Sequence, residues 1–438
     1  MSAAQPGEEQ RKGPHVKLPH WSVAPEGTPP TQRKNFLNVQ IDGIGVGLAA
    51  ASTPFLPVFL ARIGASNLHV GLLTAMPALT GLLLALPVGR FLQSRRRIVP
   101  WFSLSRLLVI SAYAFTGLAP FWVPKDWLIA AVLGIWAVAT LPQTALNVTF
   151  SVVMNGVAGP RGRYDLMSRR WSILGFTTAV SVAVAGKVLD LLAFPINYQS
   201  VFLGLSLGGL ISYYFSSSIV LPEAEPAPPS PGAGWAARLR GYVGPVMREK
   251  DFVSFVLKRF VFLTGTSLAT PLFPLYYVRV VQASDSWIGL INTAQMAVVL
   301  FGYFFWARQS RRHGSRFVLL ASTLAIALYP ALTAASTRVE VIAIIAGVAG
   351  VFQAGIDLVF FDELMRMVPP AYTATFVSMA QMLTYLSAMA APLVGTLLAD
   401  RIGLAGALAA AAGVRLLGFA LFALPSRASG ANGVAQTD

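Results

Sequence analysis

The stretch "TPFLPVFLAR" occupies Thr53–Arg62, and "TPLFPLYYVR" occupies Thr270–Arg279. Both carry Thr-Pro-x-x-Pro with an Arg nine residues after the Thr, and they lie 217 residues apart in a chain of 438. Each proline lacks an N–H and interrupts the helical hydrogen-bond ladder. A broken helix that recurs at half the chain length points to a fold written twice.

The solvent of that fold is lipid. The chain is 55% hydrophobic and 12% charged, with a mean hydropathy of +0.63, whereas a soluble domain is about a quarter charged. The net charge of +15 would suit a nucleic-acid partner, but the bases sit in short loops between apolar runs, so no nucleic acid is expected. Cysteine is absent, which excludes disulfides, thiol chemistry and Cys-type zinc sites. Residues 1–35 are polar and proline-rich, lack the apolar core of a signal peptide, and read as a disordered cytoplasmic tail.

A spanning helix needs about 20 mostly apolar residues. Twelve such runs occur, at 36–61, 68–89, 98–120, 127–155, 168–192, 200–221, 252–281, 286–307, 317–337, 341–365, 373–399 and 402–425. The expected fold class is therefore an all-α membrane protein, with twelve transmembrane helices arranged as two pseudo-symmetric six-helix bundles. The bundles cover 36–221 and 251–425, joined by a Pro/Ala/Gly-rich cytoplasmic linker, 222–250, and followed by a tail, 426–438. Lys and Arg set the orientation. One side collects the N-terminal bases and the clusters around Arg95–Arg97, Arg161–Arg170, Arg238–Lys250 and Arg308–Arg316; the other has only Arg62, Lys125, Lys187, Arg279, Arg338 and Arg401. Both termini are expected in the cytoplasm, and the membrane is expected to be the plasma membrane.

The duplication extends along the chain. "QSRR" follows span 2 at Gln93–Arg96 and span 8 at Gln309–Arg312. Gln143-x-x-x-Asn147-x-x-Phe150 in span 4 matches Gln353-x-x-x-Asp357-x-x-Phe360 in span 10. Span 5 ends "GKVLD" (Gly186–Asp190) and span 11 ends "GTLLAD" (Gly395–Asp400).

Two related six-helix halves with a cytoplasmic linker resemble the major facilitator superfamily of secondary transporters over residues 36–425. The family's cytoplasmic Gly-x-x-x-Asp-Arg-x-Gly-Arg-Arg motif is degenerate here: "PVGRFLQSRRR" and "FFWARQSRRHGSR" keep the bases and lose the acid. "GPRGR" at Gly159–Arg163 and "ADRIG" at Ala399–Gly403 are similar to further family elements. The Gly-Pro-x-x-Gly-Gly signature of drug/proton antiporters is missing from span 5. The resemblance implies that spans 1 and 7 line a central cavity. Pro54, Pro57, Pro271 and Pro274 then become candidate gating residues, the alternative being passive kinks.

An ionisable group inside a span costs about 2.5–3.5 kcal/mol and is a functional candidate by default. Asp42, Arg106, Lys258, Arg259, Asp357 and Arg415 fall in one layer of the half nearest the termini. The repeat maps Arg259 onto Asp42, so an Asp42–Arg259 bridge between the halves is one expectation; the alternative is that Arg259 binds an anionic solute and Asp42 pairs elsewhere. Asp42 and Asp357 are candidate coupling groups. Gln143 and Asn147 share a helix face, as do Gln353 and Asp357; with Arg259 they form the candidate solute site, although hydrogen bonds between helices would explain the amides equally well. Tyr276, Tyr277, Asn292 and Gln295 are weaker candidates for its wall. "GLSLGGL" at Gly204–Leu210 reads as close helix packing.

The four histidines have no metal spacing, so no metal site and no cofactor are expected. No Gly-x-x-x-x-Gly-Lys-Ser/Thr stretch exists, which speaks against ATP-driven transport. No nucleophile–base pair is visible, and an enzyme is not expected. The leading expectation is a monomeric secondary transporter that moves a small solute by alternating access, in uptake or efflux, with protons as the candidate coupling ion. The alternative is a membrane sensor or assembly factor of the same fold that does not transport.

Overall fold

A computed structural model of the chain describes residues 28–223, 246–367 and 373–424. Most of the expected N-terminal tail, linker and C-terminal tail lies outside the described residues.

The described residues form helices joined by short turns. We number the spans α1 (Pro30–Arg62), α2 (Asn67–Gln93), α3 (Val99–Trp122), α4 (Lys125–Ala158), α5 (Leu166–Leu191), α6 (Ile196–Ser217), α7 (Lys250–Arg279), α8 (Asp285–His313), α9 (Ser315–Ala334), α10 (Val339–Arg366), α11 (373–402) and α12 (404–423). The last two run together as one helical stretch of 51 residues, about 76 Å at 1.5 Å per residue, more than twice the bilayer core. Gly403, at φ 77°, divides it, a backbone conformation that costs glycine nothing. Twelve spans result, as expected. α1 starts at Pro30, six residues earlier than the apolar run suggests: Pro30 suits a first helical position, and Gln32 donates to the carbonyls of Val157 and Ala158 (3.1 and 3.2 Å).

The twin motifs break their helices as expected. In α1 the amides of Ala51, Ser52 and Thr53 bond back three residues rather than four, a tightened turn, and a separate helix, Phe55–Arg62, begins after Pro54. In α7 the helix ends at Ala269, and a new one, Leu272–Arg279, follows Pro271. Each span thus consists of a long rod and an eight-residue end piece that carries an arginine at its tip.

The first bundle is pinned where α1 crosses α6. A Cβ on Gly208 would lie 2.4 Å from the Gly45 carbonyl oxygen, and one on Gly45 would lie 2.5 Å from that of Gly208. Backbones meet here, as the glycine-rich "GLSLGGL" suggests. Phe59, Tyr198 and Phe202 pack ring to ring in this bundle, and Phe255, Phe360 and Phe422 do so in the second.

Candidate functional site

The two bundles are tied together at the ends away from the termini. Arg62 donates to Asp285 Oδ1 through Nη2 (2.8 Å) and Nε (3.1 Å), and to the Ala283 carbonyl (3.1 Å). Tyr198 OH donates to the same carboxylate oxygen at 2.7 Å. Asp190, at the end of α5, accepts from the amides of Asp285 (3.0 Å) and Ser286 (3.3 Å). It thereby satisfies two of the orphan N–H groups that open α8.

The repeat builds the same device on the opposite flank. Arg279 donates to Asn67 Oδ1 and to the Ala65 carbonyl, and Asn67 Nδ2 donates to Asp400 Oδ1 at 2.6 Å. Arg62, Asp285 and Asp190 therefore correspond to Arg279, Asn67 and Asp400. Beneath these latches α5 lies on α8 and α2 on α11. A Cβ on Gly186 would sit 3.4 Å from Gly289 Cα, Thr293 Oγ1 donates to the Ala179 carbonyl at 3.2 Å, and a Cβ on Gly71 would sit 2.7 Å from Thr396 Oγ1. Nearer the termini the approach loosens: a Cβ on Gly175 comes no closer than 3.8 Å to Leu300.

The expected Asp42–Arg259 bridge does not form. Asp42 is fully buried inside its own bundle. It accepts from Arg106 Nη1 (3.0 and 2.9 Å), Arg170 Nη2 (3.2 Å) and Ser212 Oγ (2.6 Å). Arg106 and Arg170 also lie over the rings of Phe102 and Phe150. The carboxylate points at α3, α5 and α6, so it staples the first bundle and has no line to the second. Arg415 is likewise buried and donates to the Ile326 carbonyl at 2.9 Å, a structural role within the second bundle.

Arg259 faces open space instead. It lines a cavity of about 350 Å³ together with Gln353, Asp357 and Gln381, walled by Phe262, Leu263, Ile326, Ile356, Phe360, Phe361, Leu364 and Val377. The lining runs from mid-span Thr266 toward Leu364 and Val377, near the terminal side of the membrane. Asp357 Oδ1 accepts from Gln353 Nε2 at 2.9 Å and Oδ2 from Tyr303 OH at 3.0 Å. Among the described residues Arg259 makes no hydrogen bond or ion pair; its Nε is buried without a partner, and its guanidinium lies 5.7 Å from the Phe360 ring centroid.

Three of the five expected solute-site residues thus meet in one cavity. Gln143 and Asn147 do not line it: Gln143 donates to Asn147 at 3.0 Å, the counterpart of the Gln353–Asp357 bond. Nor do Tyr276, Tyr277, Asn292 and Gln295. Tyr276 OH donates to the Ala334 and Ser336 carbonyls, Tyr277 meets Tyr329 at 3.2 Å, and Asn292 donates to its own helix. The described residues that line this cavity all belong to the second bundle.

A family model described as Major Facilitator Superfamily matches residues 256–437, the second bundle. The second bundle is therefore similar to the major facilitator superfamily. The first bundle is the repeat of the second. Solved transporter structures cover about nine-tenths of the chain. The nucleoside transporter NupG is 12% identical with a TM-score of 0.66, over 89% of this chain and 98% of that one. A bacterial homologue of the iron transporter ferroportin, in its inward-facing state, is 16% identical with a TM-score of 0.68, over 90% and 98%. A bacterial homologue of the human lysosomal transporter Spinster, inward-facing and unoccupied, is 14% identical with a TM-score of 0.64, over 90% and 97%. These likenesses establish the fold alone. No curated protein matches the chain in sequence.

Proposed function

We propose that the chain is a secondary transporter of a small solute in the plasma membrane, with both termini in the cytoplasm and the cavity around Arg259, Gln353 and Asp357 as its solute site. The observation that carries this reading is the pairing of a mouth latched on one face with a polar cavity running toward the other. An inner-open state of an alternating-access machine has this form. The excess of loop Lys and Arg on the side of the termini supports the orientation.

Gating follows from the twin breaks. Opening the latched mouth requires the end pieces Phe55–Arg62 and Leu272–Arg279 to separate from the opposite bundle. Pro54, Pro57, Pro271 and Pro274 put a joint at the base of each piece, so it can tilt without unwinding the rod below. Asp357 is the coupling candidate: as the cavity switches sides its carboxylate meets each aqueous phase in turn and can carry a proton. Asp42, locked between two arginines, is reassigned to holding the first bundle together. Solute flux into proteoliposomes, with and without an imposed proton gradient, tests the reading. Flux of at least one solute that saturates and falls on Asp357→Asn is expected; no flux across a broad metabolite panel would overturn it.

A further inference from the structure

Arg259 and Asp357 line the same cavity, yet no nitrogen of one lies within ion-pair distance of an oxygen of the other. Asp357 is held by two neutral donors, Gln353 and Tyr303, which orient the carboxylate without cancelling its charge. Among the described residues Arg259 has a ring face beside it and no hydrogen-bond or ion-pair partner. Two opposite charges are thus displayed separately in a low-dielectric span, where each is costly without a counter-charge. A bound molecule with one charge would satisfy one of them and leave the other exposed. The remaining wall is largely aromatic and aliphatic and favours an apolar body over a small inorganic ion.

We infer that the cavity takes a zwitterionic solute with an apolar side group, its carboxylate on Arg259 and its ammonium on Asp357. This rests on the reading of the cavity as the solute site. The planar guanidinium offers a bidentate match to a carboxylate, and Asp357 is fixed so that its free lone pairs can accept from an ammonium. Phe262, Phe360 and Phe361 cover the apolar group, and the amide of Gln381 supplies a further polar contact in the wall.

The test uses the purified full-length protein and three probes of nearly one shape: phenylalanine, phenylalanine amide, which lacks the carboxylate, and N-acetylphenylalanine, which lacks the ammonium. Calorimetric titration should show phenylalanine bound at least about tenfold more tightly than either analogue, the effect expected of one charge-assisted contact. Arg259→Gln should erase the preference over the amide, and Asp357→Asn the preference over the acetyl compound. The unliganded melting curve of each variant shows whether it is folded, and Arg259→Lys serves as the conservative substitute if Arg259→Gln fails to fold. N-acetylphenylalanine binding as tightly as phenylalanine would make this an anion site, and equal binding of the amide would make it a cation site; either overturns the proposal. So does the absence of binding by all three probes. In that event, flux of some other solute in proteoliposomes leaves the transport reading standing, whereas the absence of any flux removes both.

Discussion

Arg62 and Asp285 belong to different bundles and close to 2.8 Å at the face away from the termini. Their repeat partners, Arg279 and Asn67, close the opposite flank. Both pairs are formed by the residue that ends one helix and the residue that starts another. The latches therefore tie down helix ends, which are the parts of a bundle freest to move.

Breaking the charged latch should loosen the mouth. A Thr293→Cys probe beneath it is expected to be nearly silent to an impermeant thiol reagent applied outside, on a background with no native cysteine. Adding Arg62→Ala or Asp285→Ala should raise its labelling rate about fivefold, the shift produced by losing roughly 1 kcal/mol. Asn67→Ala should do less. Labelling that stays flat in all three would mean the latches do not hold the closed state.

Asp42→Asn should be the most damaging substitution in the first bundle. It leaves Arg106 and Arg170 buried without their counter-charge, at a cost of about 3–5 kcal/mol. Ser212→Ala removes one hydrogen bond and should cost about 1 kcal/mol. Exchanging Asp42 with Arg259 should rescue nothing, because the two residues do not meet. Thermal unfolding in detergent compares the four proteins; a stable Asp42→Asn would contradict the stapling role.

Asp357→Asn should abolish solute accumulation driven by a proton gradient while sparing part of the exchange at equilibrium. Tyr303→Phe, which removes one of the two groups orienting the carboxylate, should lower the accumulation rate severalfold and leave the gradient dependence. Paired uptake and counterflow measurements in proteoliposomes check both variants. Undiminished accumulation by Asp357→Asn would assign the proton to another group.

The orientation has its own test. Ser94→Cys, between α2 and α3, should be protected from impermeant thiol reagents in intact cells, while Ser284→Cys, at the start of α8, should react. The reverse pattern would invert the transporter in the membrane.

The spans and the duplication were legible because a bilayer imposes a length on every apolar run and because matched Gln, Arg and Asp positions outlast apolar drift. Arg259, Gln353 and Asp357 were legible for the same reason, as charges and amides that lipid does not tolerate idly. The direction of Asp42 was not. Repeat symmetry equates positions between halves, but equal positions need not face one another, and the partner that fixes Asp42, Arg170, looked like one more base of the loop cluster. The latches were missed because of a single residue. Arg62 maps to Arg279 at a shift of 217, but Asn67 maps to Asp285 at 218, since the second turn holds one residue more. Each turn has one left-handed residue, Gly64 (φ 87°) in the first and Gln282 (φ 54°) in the second. Nothing about a glutamine announces that conformation.

The cavity that holds Arg259 and Asp357 has an electrical consequence. Among the described residues those are the only charged ones in its lining, and their formal charges cancel. Carrying a zwitterion from one face to the other then displaces no net charge, from either the cargo or the walls. The resting membrane voltage would neither help nor hinder that step, although one elementary charge crossing it feels about 2.3 kcal/mol per 100 mV. Whatever current accompanies each turnover would count the ions that travel with the solute, so a recording electrode could read the coupling stoichiometry directly.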